Sequence, residues 1–259
     1  MKKFLLLFFT SLTLNSYLFA IEKCNCDEGF VNNCNYVGDS FFTGTCEDSN
    51  KKILGLIEYP SGQTWYGDFY ENGKEKTGKL TYPNSHYYEG EFSEDGKTFI
   101  GKFYQGKVVT TGFFSNLDEG MGLNGFGFIE FDESIRDQII SYQAGVFEMH
   151  KVRKEPALSD FVGYGYIESR NNGFKLIGSY RNYKPYGKFY IHYEDGTREI
   201  NDYADGRINP KVLNEWTETD ENNYQTLKSR YIKDLEIYLP IFREVEERVS
   251  LVLKNNKKD

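Results

Sequence analysis

Histidine is scarce: the chain holds only His86, His150 and His192. None has a second ligand at helix or strand spacing, so they read as surface or sheet-packing residues rather than metal ligands. Gly-x-Ser-x-Gly, His-Glu-x-x-His and a cysteine set up as a nucleophile are all missing. The sequence therefore offers no catalytic, cofactor or metal residue, and a non-enzymatic protein without cofactor is expected. A basic excess is missing too. Setting aside Lys2 and Lys3 leaves 29 of the 31 Lys and Arg against 39 Asp and Glu, a formal charge of about −10. That balance argues against nucleic acid and against a generic anionic membrane surface as partners.

Beyond residue 20 no stretch is apolar enough to span a bilayer, so no transmembrane span is expected in the mature chain. The first twenty residues read differently. Lys2 and Lys3 precede two apolar runs, Phe4 to Phe9 and Leu12 to Phe19, and Ala20 supplies a small residue for cleavage. This is the layout of a signal peptide, which predicts export to the periplasm or beyond the cell. Thr10, Ser11, Asn15 and Ser16 interrupt a stretch already short for an anchor. Four cysteines follow within a short window: Cys24, Cys26, Cys34 and Cys46. In an exported chain they read as disulfides, paired 24–34 with 26–46 or 24–46 with 26–34, stapling the start of the molecule. The rival zinc reading lacks its usual Cys-x2-Cys knuckles.

Aromatics and glycine are abundant instead. Aromatic residues are 17% of the chain, with 25 glycines, and mean hydropathy is −0.61. This combination points to a thin sheet with half-exposed side chains rather than a thick globule. Gly67 and Gly90, Gly73 and Gly96, and Gly78 and Gly101 are each 23 residues apart. One unit runs from Gly55 through Tyr59, Pro60-Ser-Gly62 and Trp65-Tyr-Gly-Asp-Phe69. The next runs from Gly78 through Tyr82, Pro83-Asn-Ser85 and Tyr88-Glu-Gly-Glu-Phe92. Each reads as two short strands around a turn, a β-hairpin. Asn72-Gly73 and Asp95-Gly96 reverse the chain into the next. Alternation places Trp65, Gly67 and Phe69 on one face and Tyr66 and Asp68 on the other. A glycine between aromatics leaves room for a ring from the neighbouring strand to lie across the backbone. Less regular units start near Gly101, Gly125, Gly163 and Gly187, with polar loops expected at 115–124, 132–139 and 149–160.

Aromatic-x-Gly-x-Phe, a turn glycine and Gly-x-φ-x-Tyr at this period resemble the MORN repeat, closely over 55–103 and more loosely over 106–203. The Gly-x-Gly pairs of many such units occur at the unit starts 125/127 and 163/165. The resemblance implies consecutive antiparallel hairpins forming an elongated, single-layer sheet. It also implies scaffolding, dimerisation or membrane association rather than catalysis, with no fixed set of binding residues to transfer.

After Pro210 the pattern changes. Tyr224, Leu227, Tyr231, Leu235, Tyr238, Phe242, Val245, Val249 and Val252 recur every three or four residues, one apolar stripe of a helix. Pro240 is expected to kink it or to start a second helix. The irregular steps and the proline favour packing on the protein's own sheet over a coiled coil with a partner.

The expected class is mainly β, an elongated antiparallel hairpin sheet with a C-terminal amphipathic helix or kinked helix pair. The divisions are a signal peptide at 1–20, a Cys-rich cap at 21–52, repeats at 53–207 and a helical segment at 208–259. Gly120-Met-Gly-Leu-Asn-Gly125 spells a dinucleotide fingerprint but precedes an alternating strand where a helix is required. Tyr66, Asp68, Tyr87, Glu89 and Glu91, acids beside rings, form the candidate ligand face for a glycan or lipid headgroup. A solvated face is the plainer reading of these charges. Protein partners or self-association are the expected contacts.

Overall fold

The computed structural model describes residues 30–35, 40–48, 51–117, 120–132, 134, 140–150, 158–204, 206–209 and 215–254. Near the edges of these segments, only the backbone of 30–35, 46–48, 51–52, 116–117, 120–121, 150 and 158–159 is described. Strands follow one another in chain order. The first five are β1 (Phe30–Asn35), β2 (Phe41–Asp48), β3 (Lys51–Glu58), β4 (Thr64–Phe69) and β5 (Glu75–Thr81). Next come β6 (Tyr87–Phe92), β7 (Thr98–Gln105), β8 (Val108–Leu117), β9 (Gly120–Phe131) and β10 (Tyr142–His150). The last are β11 (Leu158–Ser169), β12 (Phe174–Arg181), β13 (Lys184–Tyr193), β14 (Arg198–Ala204) and the two-residue β15 (Arg207–Ile208). All belong to one sheet in the order β1 to β15, each antiparallel to the next. Among the described residues a single helix, α1 (Glu218–Lys254), follows the sheet.

The turn chemistry explains the local reversals. Gly62, Gly73 and Gly96 have φ of 79°, 78° and 72°, and their amides donate to Tyr59, Tyr70 and Ser93 carbonyls at 2.9, 2.9 and 2.8 Å. Such φ values are accessible to glycine at no steric cost. Ser85, one repeat after Gly62, takes the same conformation with φ 65°.

Register converts the repeat into a core. Gly44 pairs with Gly55, Gly55 with Gly67, Gly67 with Gly78, Gly78 with Gly90 and Gly90 with Gly101. The line continues through Gly112, Gly127, Gly145, Gly165 and Gly178. A glycine ladder thus crosses the sheet from β2 to β12. A Cβ on Gly67 would lie 2.2 Å from the Thr77 carbonyl oxygen and 2.8 Å from Cζ2 of Trp65. Phe42 fills the same space over Gly44 and Gly55, Phe161 over Gly145 and Gly165, and Phe189 over Gly178. Trp65 folds back over Gly67 of its own strand and also reaches Gly78 of β5. The expected neighbour-strand ring is found at Gly55 (Phe42), Gly78 (Trp65), Gly90 (Phe99), Gly145 (Phe161) and Gly178 (Phe189). Rings then meet rings along this face, Trp65 with Phe92 at 5.5 Å, Tyr88 with Phe99 at 5.2 Å and Phe161 with Tyr180 at 4.9 Å. Trp65, Phe99, Phe114 and Phe147 are buried, and each such side chain contributes about 2–3 kcal/mol.

The described residues correct the sequence reading at several points. Residues 30–35 and 41–48, within the segment expected as a Cys-rich cap, are β1 and β2 and supply strands to the same sheet. Residues 115–117 and 120–124 are strand rather than polar loop, extending the β8–β9 hairpin. His150 and Leu158 to Asp160 likewise belong to β10 and β11. The helix runs unbroken through Pro240 instead of dividing into a pair. Proline lacks one backbone donor, but the surrounding turns keep the helical assignment. Gly120 to Gly125 lies inside β9, where a phosphate loop and following helix would be needed. Cys24 and Cys26 lie outside the described residues. Cys34 and Cys46 stand on β1 and β2 by backbone alone.

Candidate functional site

The helix lies on the face opposite the rings. Its 37 residues span about 55 Å at the usual rise, whereas the ten strands from β4 to β13 span about 43 Å. It is therefore long enough to cross them with some tilt. Thr217 and Asp220 start it as a capping box: the Asp220 amide donates to Thr217 Oγ1 at 3.2 Å, while the Thr217 amide donates to Asp220 at 3.1 Å. Asp220 is fully buried and also receives Lys188 of β13 at 2.6 Å. Burial pushes its carboxyl up, but the bonds from Lys188 and Thr217 outweigh that and hold it below its ordinary value.

From there the apolar stripe lands on rings of the sheet. Tyr224 stacks on His192 at 4.1 Å, Tyr231 on Tyr166 at 4.4 Å and Tyr238 on Phe126 at 5.1 Å. Phe242 meets Phe113 at 5.4 Å. Phe242, Val245 and Val249 are buried, while Leu227, Leu235 and Val252 are half-buried. All nine stripe residues thus face inward. Tyr164 donates to Asp234 at 2.5 Å.

At the C-terminal half the contacts become ionic. Arg248 grips Glu91 of β6 with two guanidinium donors, one at 2.9 Å, and Lys102 of β7 pairs with Glu246 at 2.8 Å. These pairs are partly solvated, so each contributes about 1 kcal/mol or less.

The candidate ligand face is this helix-bearing face. Asp68 lies where the β4–β5 register slips after Gly67, and its carboxylate accepts the Thr77 amide at 2.6 Å. It satisfies a donor beside a bulge. Burial raises its pKa, and the Thr77 bonds offset this only in part. Tyr66 pairs in register with Lys79, and Lys79 with Glu89. Lys79 also reaches Glu89 at 3.3 Å and sits 3.5 Å above the Tyr87 ring. Tyr87 stacks on Tyr104 at 4.4 Å. Burial, followed by the nearby Glu89 carboxylate, raises the Tyr104 hydroxyl well above its usual range. Tyr87, Glu89 and Glu91 are therefore brought together, with Tyr66 and Asp68 along the same side, but Glu91 is committed to the helix.

A cavity of about 290 Å³ opens between this cluster and the helix. Its floor is Glu89, Lys102, Tyr104 and Thr111, and its wall is Phe242, Val245, Val249 and Leu253. Thr111 is 1% exposed and its hydroxyl has no hydrogen-bond partner. Sequence reading had missed Lys79, Lys102, Tyr104, Thr111 and Arg248. Lys79 and Lys102 are one 23-residue period apart, a signal that was present; Arg248 is 157 positions from Glu91 and gave none. Among the described residues no group of three His, Cys, Asp or Glu side chains could hold a metal ion, and no helix is long and apolar enough to cross a membrane. In comparison with known proteins, no family model and no curated sequence matches the chain.

Proposed function

We propose that the chain is an exported, non-enzymatic interaction scaffold of MORN type, working through protein partners or its own copies. The observation that carries this is the outer flank of α1. Ile237, Ile241 and Leu251 are 47%, 36% and 64% exposed, close together in angle on one flank of a helix whose adjoining side is fixed to the sheet. Large aliphatic side chains held on a rigid element are what a partner surface uses. The expected periplasmic or extracellular location rests on the amino-terminal leader pattern, and the disulfides on the four cysteines.

The test is cross-linking in the native compartment, compared with an Ile237→Glu/Leu251→Glu chain, alongside light scattering of both. The scaffold reading expects a defined complex, hetero or homo, that the double variant loses. A wild-type monomer whose cross-linked profile equals that of the variant would contradict it.

A second reading, a ligand-binding module, is favoured by the cavity beside Glu89. Glu91 and Asp68 already serve the helix and the bulge, so this reading narrows from the whole acidic face to that space.

A further inference from the structure

We infer that the cavity between α1 and strands β6 to β8 binds a single-chain amphiphile: a linear alkyl chain carrying a small, uncharged, hydrogen-bonding head. This rests on the ligand-binding reading and is independent of the scaffold reading. Unlike a headgroup site on the sheet surface, it places the hydrocarbon inside the molecule.

Shape comes first. Phe242, Val245, Val249 and Leu253 line one side. They recur at helical spacing, so they form a straight apolar wall about 16 Å long. A volume of about 290 Å³ holds roughly ten atoms of water or methylene size, at about 30 Å³ for each water. A linear wall and that volume fit an extended chain of about ten carbons. A branched or fused-ring ligand would not lie along it.

Charge then selects the head. The ionised groups of the floor are already matched. Glu89 has Lys79 at 3.3 Å and the Tyr104 hydroxyl as partners, and Lys102 has Glu246 at 2.8 Å. A charged head would have to displace one of these pairs and leave a partner uncompensated. Among the buried polar groups of the lining, the one without a partner is the Thr111 hydroxyl, almost wholly buried in the floor. A buried hydroxyl lacking a partner is unfavourable, and a ligand oxygen that supplies one gains the difference. A hydroxyl or ester head meets that need; a sugar would set too many hydroxyls against the valine wall.

The experiment is titration calorimetry on the full chain with decan-1-ol, octan-1-ol, decanoate, decyltrimethylammonium and maltotriose, all below micelle-forming concentrations. Decan-1-ol is expected to bind one to one, and octan-1-ol about tenfold more weakly, from the loss of two methylenes. Decanoate and the cationic probe should bind more weakly than decan-1-ol. Thr111→Val should weaken decan-1-ol about fivefold, the effect of one neutral hydrogen bond. Val249→Trp, which fills the wall, should abolish binding. Ser250→Trp at the half-buried lip repeats that test should Val249→Trp fail to fold. Absence of decan-1-ol binding overturns the proposal. So does tighter binding of a charged probe, or decan-1-ol binding that Ser250→Trp leaves unchanged. Binding of maltotriose with no alkyl probe overturns it while the ligand-binding reading stands.

Discussion

At Gly78 a Cβ would lie 2.2 Å from the Tyr66 carbonyl oxygen and 3.0 Å from Cζ2 of Trp65. Neither can yield, because one is backbone of a paired strand and the other belongs to a wholly buried ring. Gly78→Ala should therefore cost about 2–3 kcal/mol, the range for overpacking a filled core. Gly96, with φ 72° and nothing near its missing Cβ, should accept Asn with little loss, since Asn tolerates that turn conformation. Urea unfolding of the two variants checks this; equal midpoints would show that the ladder is not close-packed. The 23-residue spacing of these glycines was legible in the sequence. Their pairing from β2 to β12 was not, because register depends on turn lengths and bulges that no single repeat reveals. Asp68 makes the same point. As an acid beside rings it belongs to the expected ligand face, yet its partner is an amide beside a bulge.

The helix was readable as an element and unreadable as an attachment. Its stripe follows from spacing alone, and Thr217-x-x-Asp220 is a capping signature that could have been found in the sequence. Which rings receive the stripe depends on residues up to 129 positions away, as Phe113 is from Phe242. The N-terminal attachment has a further consequence. His192 lies flat against Tyr224, with the Trp216 ring near-perpendicular at 5.0 Å between centroids and its own Nε2 buried without a partner. Burial lowers its pKa; Arg198 and Lys228 lower it further, and Glu221 opposes them. Because the folded pKa is depressed, the unfolded chain takes up the proton first as pH falls. This contribution to stability is whole above the ordinary histidine value of about 6.5 and is lost as pH falls through the folded value. Protection of the first turns of α1 against hydrogen exchange should therefore decline from pH 7 toward pH 5, and His192→Phe should flatten that decline. An unchanged pH profile in His192→Phe would assign the effect elsewhere.

Taken whole, the molecule is one open sheet with two unlike faces. One is sealed by rings lying over glycines; the other is aromatic toward β13 and charged toward β4, and α1 lies across both parts. The single-layer sheet was legible because every repeat states it, and the helix's place was an inference from an irregular stripe. The central claim is that α1 belongs to its own sheet and covers an apolar face there. Deleting residues 211–259 tests it most directly, by light scattering together with binding of an apolar dye. The account predicts that the truncated chain either gains mass by association or binds markedly more dye. A truncated chain that keeps both its mass and its dye level would contradict it.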